Sequence, residues 1–196
     1  MKKCEQLYTA TSDTLAAIDL ARYLDSLGIA DRVTFGVTGD STMNLIEKQS
    51  VVALGSPHTL HPFQDYLGSL NFSFTNNKGW GIENAHPAAG ELKRYASSSQ
   101  NNGRGIDAAI IALLPGHSPK TKLLIMESTC TAALVSLLTS QVENSLFERI
   151  YKEHGSPNYF EMPVEIEFDG DHIIRSWPVA LHPYTKAAPT GASVTQ

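Results

Sequence analysis

Three short segments rich in glycine, serine and threonine each follow an apolar run of the sequence, and such segments can bind a small ligand. They span residues 38–41, 55–59 and 127–131. Backbone N–H groups and hydroxyls at the carboxyl ends of strands can cradle an anion or a sugar. The same residue types also form ordinary turns and helix caps. Taken jointly, the segments predict ligand binding by Thr38, Gly39, Ser41, Gly55, Ser56, His58, Thr59, Glu127, Ser128, Thr129 and Cys130.

Cys130 and Ser128 are candidate nucleophiles for a small hydrolase or transferase, with a histidine from residues 58–61 as the base. Cys130 is expected at a helix amino terminus, a position that favours the reactive thiolate. However, no spacing identifies its histidine partner, and a small apolar core residue is the simpler interpretation. Ser128 lies in Met126–Cys130, which is not a Gly-x-Ser-x-Gly nucleophile motif. An enzyme is therefore the alternative hypothesis, and we assign no catalytic residue.

Two histidines offer a second, weaker pattern. A helical turn would bring His61 close to Asp65, either as metal ligands or as an acid/base pair, and His58 lies three residues earlier. Histidines in a polar loop are more often exposed residues without such a role. Trp80, in a long glycine-rich stretch, is expected either as a lid or as an anchor of that stretch to the core. No metal site is predicted.

Composition narrows the functional classes. The chain has 196 residues, of which 42% are hydrophobic and 18% charged, typical of one globular domain. Its net charge of −5 argues against direct nucleic-acid binding. The two cysteines show no metal-ligand spacing. Without an apolar signal region or a run of about 18 apolar residues, we expect no membrane insertion. A cytoplasmic location is favoured, or an extracytoplasmic one if the chain was cut from a membrane-anchored parent.

Hydrophobic periodicity predicts alternating helices and strands. The expected helices span residues 12–27, 43–48, 62–67, 132–138 and 142–154. The expected strands span residues 33–37, 51–54, 71–75, 108–114, 122–127, 164–168 and 173–181. Residues 76–105 are rich in glycine, serine and asparagine, and are expected to form a long excursion with at most a short hairpin. Pro178 indicates an edge strand or a bulge.

This order of elements predicts an α/β fold. We expect a three-layer, Rossmann-like or flavodoxin-like sheet that is mainly parallel, with a C-terminal antiparallel hairpin at its edge. The runs near residues 35, 53, 111 and 125 would lie side by side in one direction. Residues 1–184 form the single domain, and residues 185–196 form a disordered tail. Neither a Gly-x-Gly-x-x-Gly fingerprint nor a phosphate-binding loop is present in the sequence, so no nucleotide cofactor is predicted.

The run from Val51 through Gly55-Ser56-Pro57 to Leu70–Phe74 resembles part of an uncharacterised, acidobacterial-type Rossmann-like domain with a Gly-Ser-Pro loop. Residues 107–114 and 122–138 resemble later strands and a helix of that family, and the terminal hairpin matches in placement. His58 to His61 stand where the family has Arg-Ser-Asn before Pro-Trp. Family members often follow a winged-helix DNA-binding domain. The resemblance implies a sensory role in transcription control.

These observations lead to a small-ligand sensing or regulatory domain without catalytic activity, in a signalling or transcription-control system. Its expected partner is a small molecule, for which an anion is one candidate, and a homodimer stays open. A third hypothesis is a protein-interaction module that uses residues 76–105 or the edge strand near Pro178.

Overall fold

The computed structural model describes residues 11–28, 33, 34, 36, 46–77, 79–99, 103–129, 152, 155, 157–170 and 172–186. Its helices are α1 (Thr11–Ser26) and α2 (Gln64–Leu67), the latter directly preceded by a 3₁₀ turn (His61–Phe63). Its strands are β1 (Val51–Gly55), β2 (Phe72–Thr75), β3 (Gly81–Asn84), β4 (Arg94–Ala96), β5 (Ser98–Ser99), β6 (Arg104–Pro115), β7 (Lys122–Ser128), β8 (Phe160–Asp169), β9 (His172–Pro178) and β10 (His182–Pro183).

The larger sheet is mixed and mostly antiparallel, so the expected Rossmann-like or flavodoxin-like parallel sheet is wrong. Its order is β1-β7-β6-β8-β10, with β5 also paired to β6 and β9 to β8. Among the described strands, β1 and β7 form the parallel pair. β6 runs antiparallel to both β7 and β8. Only residues 116–121 connect β6 to β7, whereas a parallel crossover needs roughly a dozen or more residues.

Both faces of the large sheet are apolar because side chains alternate along each strand. One face carries Ile110, Leu123 and Ile125, and it packs against the 3₁₀ turn, α2 and the small sheet. The other face carries Ile111, Met126 and β8 residues such as Val164, and α1 lies against it through Ala16, which is fully buried. The long central strands are therefore buried on both sides, which explains their nearly continuous apolar sequence.

Residues 76–105 do not form the predicted excursion with at most a short hairpin. They contain β3, β4 and β5, and β3 pairs with β2 and β4 in a second, three-stranded antiparallel sheet. Ile82 and Tyr95 project from this sheet into the core shared with the large sheet. Each of these strands places few apolar residues inward, so an alternating pattern hardly emerges in the sequence.

Several predicted elements are confirmed. The first helix, the strands of residues 51–54, 71–75, 108–114 and 122–127, and the terminal hairpin are present with shifted ends. Gly170 turns the hairpin with a φ of 59°, and Pro178 lies on β9, which pairs with β8 alone among the described strands. The predicted elements at residues 132–138 and 142–154 and the predicted tail lie wholly or mainly outside the described residues, and those at 33–37 and 43–48 lie partly outside them. None of the described helices combines the length and apolarity needed to cross a membrane.

Candidate functional site

Two of the three predicted ligand-binding segments meet at one edge of the large sheet. β1 and β7 are parallel neighbours in register, with Gly55 opposite Glu127, so the segments that follow both strands start at the same edge. Thr38, Gly39, Ser41 and Cys130 lie outside the described residues. The binding role of all these residues stays a prediction. Among the described residues, the geometry behind it is the shared edge at which β1 and β7 end.

The turn after β1 is closed by hydroxyl groups. The Ser56 N–H donates a hydrogen bond to Thr59 Oγ1 at 2.8 Å, and the Thr59 and Leu60 N–H groups both donate to the Ser56 carbonyl at 3.0 Å. A Cβ atom on Gly55 would lie 2.3 Å from Thr59 Oγ1. The Thr59 hydroxyl therefore occupies the space directly beside the last residue of β1, which only glycine leaves open.

Asp13 joins this turn from the first helical turn of α1. The Thr59 hydroxyl donates a hydrogen bond of 3.0 Å to Asp13 Oδ2. The other carboxylate oxygen, Oδ1, is buried and has no hydrogen-bond partner in the described part of the chain, and the residue as a whole is only 6% exposed. An acidic residue in the first turn of a helix is ordinarily favourable through the helix dipole alone. The contact of Asp13 with a residue 46 positions later is not visible in the local pattern.

Glu127 is a second buried carboxyl group at this edge. Its side chain lies on the face that carries Ile110, its neighbour across β6, and Gly55 is its neighbour across β1. The residue is 4% exposed, and no hydrogen bond among the described residues includes its carboxyl group. Burial without compensating contacts raises the pKa of Glu127 from an ordinary 4.5 to about 7. Glu127 therefore changes its charge near neutral pH.

Asp13, Gly55, Thr59 and Glu127 together are called the carboxyl-edge site. The Thr59 hydroxyl bonds to Asp13 and lies beside Gly55, the strand neighbour of Glu127. Asp13 belongs to α1, which packs on one face of the large sheet, whereas the Glu127 side chain lies on the other face. The site therefore collects residues at the end of the parallel strand pair without a contact between its two acids among the described residues.

Asp107 holds the last residues of β7 from the opposite face of the sheet. Its carboxylate accepts hydrogen bonds from the Thr129 hydroxyl at 2.6 and 2.7 Å, from the Ser97 hydroxyl at 3.0 Å and from the Ala108 N–H at 2.8 Å. Ser128 is fully buried, with its hydroxyl 3.5 Å from Asp107 Oδ2. A buried hydroxyl directed at a carboxylate is poorly placed to attack a substrate, so the geometry gives no support to Ser128 as a nucleophile.

The two loop histidines do not form the predicted pair with Asp65. His58 and His61 are exposed, and no hydrogen bond or ion pair of the described residues joins His61 to Asp65. His58 instead packs edge-on against Trp80, with ring centroids 5.9 Å apart. Trp80 is half-buried, and this contact favours the anchoring interpretation over a lid. Within the described ranges, no group of three or more metal-ligating side chains is assembled.

A second polar cluster lies where the small sheet meets β8 and β10. We call it the histidine network, and it consists of Asn71, Asn84, Glu91, Glu161 and His182. Asn71 Nδ2 donates to Asn84 Oδ1 at 2.6 Å and contacts His182 Nδ1 at 3.1 Å. His182 Nε2 lies 3.0 Å from both Glu91 carboxylate oxygens. If Nδ1 accepts and Nε2–H donates, a single neutral tautomer satisfies both contacts.

Backbone donors complete the histidine network. Glu161 Oε2 accepts hydrogen bonds from the N–H groups of Asn71, at 2.7 Å, and Phe72, at 3.3 Å. Burial raises the pKa of Glu161, and these two bonds partly offset that effect. Burial also opposes ionisation of Glu91, but hydrogen bonds from the Ala88 N–H, Asn84 and His182 outweigh it and hold the pKa of Glu91 below its usual value. This cluster is not visible in the sequence, because its members lie up to 111 positions apart and form no local pattern.

A comparison with known protein families, curated proteins and solved structures finds no match to this chain. The resemblance noted in the sequence therefore stays an expectation, and its Rossmann-like element is corrected by the antiparallel sheet. A functional hypothesis must therefore be built from the side chains of this chain alone.

Proposed function

We propose that this domain binds a small molecule at the carboxyl-edge site and serves as a ligand-sensing or regulatory module. The observation that carries the proposal is Asp13 Oδ1, which is buried without a hydrogen-bond partner among the described residues. More than nine in ten buried polar groups in folded proteins have such a partner. A ligand that donates a hydrogen bond to this oxygen would supply the missing interaction.

The position of the site in the sheet supports the same proposal. In open, mostly parallel α/β sheets, ligands bind beyond the carboxyl ends of the strands, where the following segments diverge and leave a crevice. In this protein that position is the end of the β1–β7 pair. It also holds Glu127, a second buried acid without a hydrogen bond among the described residues. The unpartnered Asp13 Oδ1, next to the turn that follows β1, is better explained by binding than by folding.

A thermal-shift screen of a metabolite library tests the proposal. A ligand at 100 times its dissociation constant stabilises the folded state by about 2.7 kcal/mol, which is readily seen as a rise in melting temperature. We expect at least one compound to stabilise the native protein. The same compound should fail to stabilise the Asp13→Asn variant, because the new amide group presents a donor where the ligand also presents one.

Asp19→Asn is the matched control for this screen. Asp19 lies on the same helix, is half-exposed, and pairs with Arg22 at 3.6 Å, so its substitution makes the same chemical change away from the site. The control should respond to the compound as the native protein does. The proposal fails if no compound raises the melting temperature, or if every stabilising compound acts equally on Asp13→Asn.

A further inference from the structure

We propose that a cleft on the outer face of the small sheet binds the oxyanion group of a small molecule, either a carboxylate or a phosphate. The cleft has a volume of about 480 Å³, and its lining includes Ser73, Glu83 and Arg94 on the strands, with Asn77 and Lys93 beside them. It is a second site, apart from the carboxyl-edge site at the end of the β1–β7 pair. The proposal therefore adds to the proposed function without depending on it.

Strand register brings three polar side chains into one row across the small sheet. Ser73 pairs with Glu83, and Glu83 pairs with Arg94, so the three side chains share one face. Ile82 and Tyr95 project from the other face into the core. The row consequently borders the solvent, with Ser73 and Glu83 exposed.

Arg94 determines which ligand group this cleft can bind. Its Nη2 atom donates a hydrogen bond to the Gly79 carbonyl oxygen at 2.5 Å, which holds the guanidinium group in place. The group lies over Gly81, where an added Cβ atom would be 3.3 Å from Nη2. The Arg94 side chain is only 22% exposed although it is charged. Because its orientation is fixed before a ligand binds, little side-chain entropy is lost on binding.

The donors around the cleft are only partly used by the described residues. Glu83 Oε1 lies 3.6 Å from Arg94 Nη1, which makes an ion pair but is too long for a hydrogen bond. The side chains of Lys93 and Asn77 form no hydrogen bond or ion pair within the described ranges. Of the charged side chains that line the cleft, two are basic and one is acidic. A guanidinium group with unused N–H donors beside a second cation suits carboxylates and phosphates, which it can contact through two parallel hydrogen bonds.

Glu83 distinguishes anion binding from a merely structural ion pair. Its side chain is 51% exposed, so water screens its pair with Arg94, and the pair contributes little to stability. An incoming oxyanion competes with Glu83 for the guanidinium group and is repelled by its charge. Glu83→Gln should therefore raise the affinity for the oxyanion by about threefold. A merely structural pair predicts no such gain.

Methyl phosphate and acetate, each titrated into the full chain at constant low ionic strength, test the proposal through the NMR chemical shifts of Gly79 and Gly81. We expect saturable binding with a millimolar dissociation constant, and the probe that binds more tightly identifies the ligand group. Methylammonium, which has the opposite charge, should not shift these signals. Arg94→Gln should weaken binding at least about tenfold, a loss near 1.4 kcal/mol, and Lys93→Gln about threefold. Lys120→Gln removes the charge of an exposed lysine between β6 and β7 and should retain native affinity.

Several results would overturn the proposal. Neither anion shifting the Gly79 and Gly81 signals saturably is one, and tighter binding of methylammonium than of both anions is another. Unchanged affinity in both Arg94→Gln and Lys93→Gln places the anion elsewhere, and Lys93→Gln alone decides this point if Arg94→Gln does not fold, because Lys93 is exposed. Weaker anion binding in Glu83→Gln also contradicts the proposal. The library screen with Asp13→Asn tests the carboxyl-edge site separately.

Discussion

The carboxyl-edge site and the histidine network are both buried polar clusters containing two acids, but they differ in how completely those acids are bonded. In the histidine network, Glu161 accepts two backbone N–H groups, and Glu91 accepts from Ala88, Asn84 and His182. At the carboxyl-edge site, Asp13 Oδ1 is buried without a hydrogen-bond partner among the described residues, and Glu127 is buried with burial as the cause of its raised pKa. A cluster bonded internally stabilises the fold, whereas an incompletely bonded cluster is available to a ligand.

The histidine network also has a clear structural task. It lies at the junction between the small sheet and the part of the large sheet formed by β8 and β10. Its side chains form the hydrogen bonds that join the two sheets there. The Asn71 side chain bonds in two directions. Its Oδ1 atom accepts a hydrogen bond from the His86 N–H at 2.8 Å, and its Nδ2 atom contacts Asn84 and His182. His182 packs its ring against Phe72, with centroids 4.8 Å apart. Polar and apolar contacts here fix one arrangement of the two sheets.

The largest expected effect tests the structural task of this network. Glu161→Ala removes the acceptor of the Asn71 and Phe72 N–H groups and leaves both donors buried, so we expect a loss of about 3–5 kcal/mol in the free energy of unfolding. Urea denaturation measures this loss. Glu161→Gln keeps an acceptor oxygen and should lose less than half as much. A loss below about 1 kcal/mol for Glu161→Ala would show that the network does not hold the two sheets together.

The second prediction uses pH to separate the two clusters. The pKa of Glu127 is about 7 in the folded state against an ordinary 4.5. Between these two pH values the folded protein keeps a proton on Glu127 that the unfolded chain has lost, so the free energy of unfolding falls as pH rises. Glu127→Gln removes this penalty. We expect the variant to gain up to about 3 kcal/mol at pH 8 and almost nothing at pH 4.5, as measured by urea denaturation across pH.

The histidine network should respond to pH in the opposite direction. Because the pKa of Glu91 is lowered on folding, its contribution is present above the ordinary carboxyl value and is lost as pH falls through its folded value. Glu83→Gln, an exposed change on the small sheet, serves as the control for Glu127→Gln. It should leave the slope of the free energy of unfolding against pH unaltered near neutral pH. An unchanged slope in Glu127→Gln would mean that Glu127 is not held in an apolar environment.

The sequence predicted elements better than their arrangement. The apolar runs of β1, β6 and β7 identify buried strands correctly, yet identical runs suit either parallel or antiparallel neighbours when both faces of a sheet are covered. The length of the connection decides the direction. Residues 116–121 are too few for a crossover, and this short connection was already visible in the sequence between two predicted strands.

Other features had no adequate local signal. β3 has a single fully apolar side chain directed inward, Ile82, so its pairing with β2 depends on neighbours rather than on its own pattern. The parallel pairing of β1 and β7 was expected, because the order of elements predicted that the runs near residues 53 and 125 lie side by side in one direction. The role of Asp13 was not, because its partner Thr59 belongs to a distant turn. Contacts between distant side chains define both clusters, and one sequence does not encode them visibly.

The smallest expected effect concerns the turn that shapes the carboxyl-edge site. Gly55→Ala places a Cβ atom 2.3 Å from Thr59 Oγ1 and 3.1 Å from the Leu60 side chain, which forces the turn to move. Overpacking of this kind costs about 1–3 kcal/mol. Because the closest obstacle is a hydroxyl, Thr59→Ala should relieve part of the clash. The double variant should therefore lose less free energy of unfolding than the two single variants lose in sum, by about 1 kcal/mol or more.

A double-mutant cycle by urea denaturation measures this coupling, and the Gly55→Ala, Thr59→Ser pair is its control. Serine keeps the hydroxyl that meets the new methyl group, so it should provide less relief than alanine. Strict additivity in the alanine pair would place the Thr59 hydroxyl away from Gly55. Thr59 would then no longer link Asp13 to the end of β1, and the contrast with the internally bonded histidine network would lose its geometric basis.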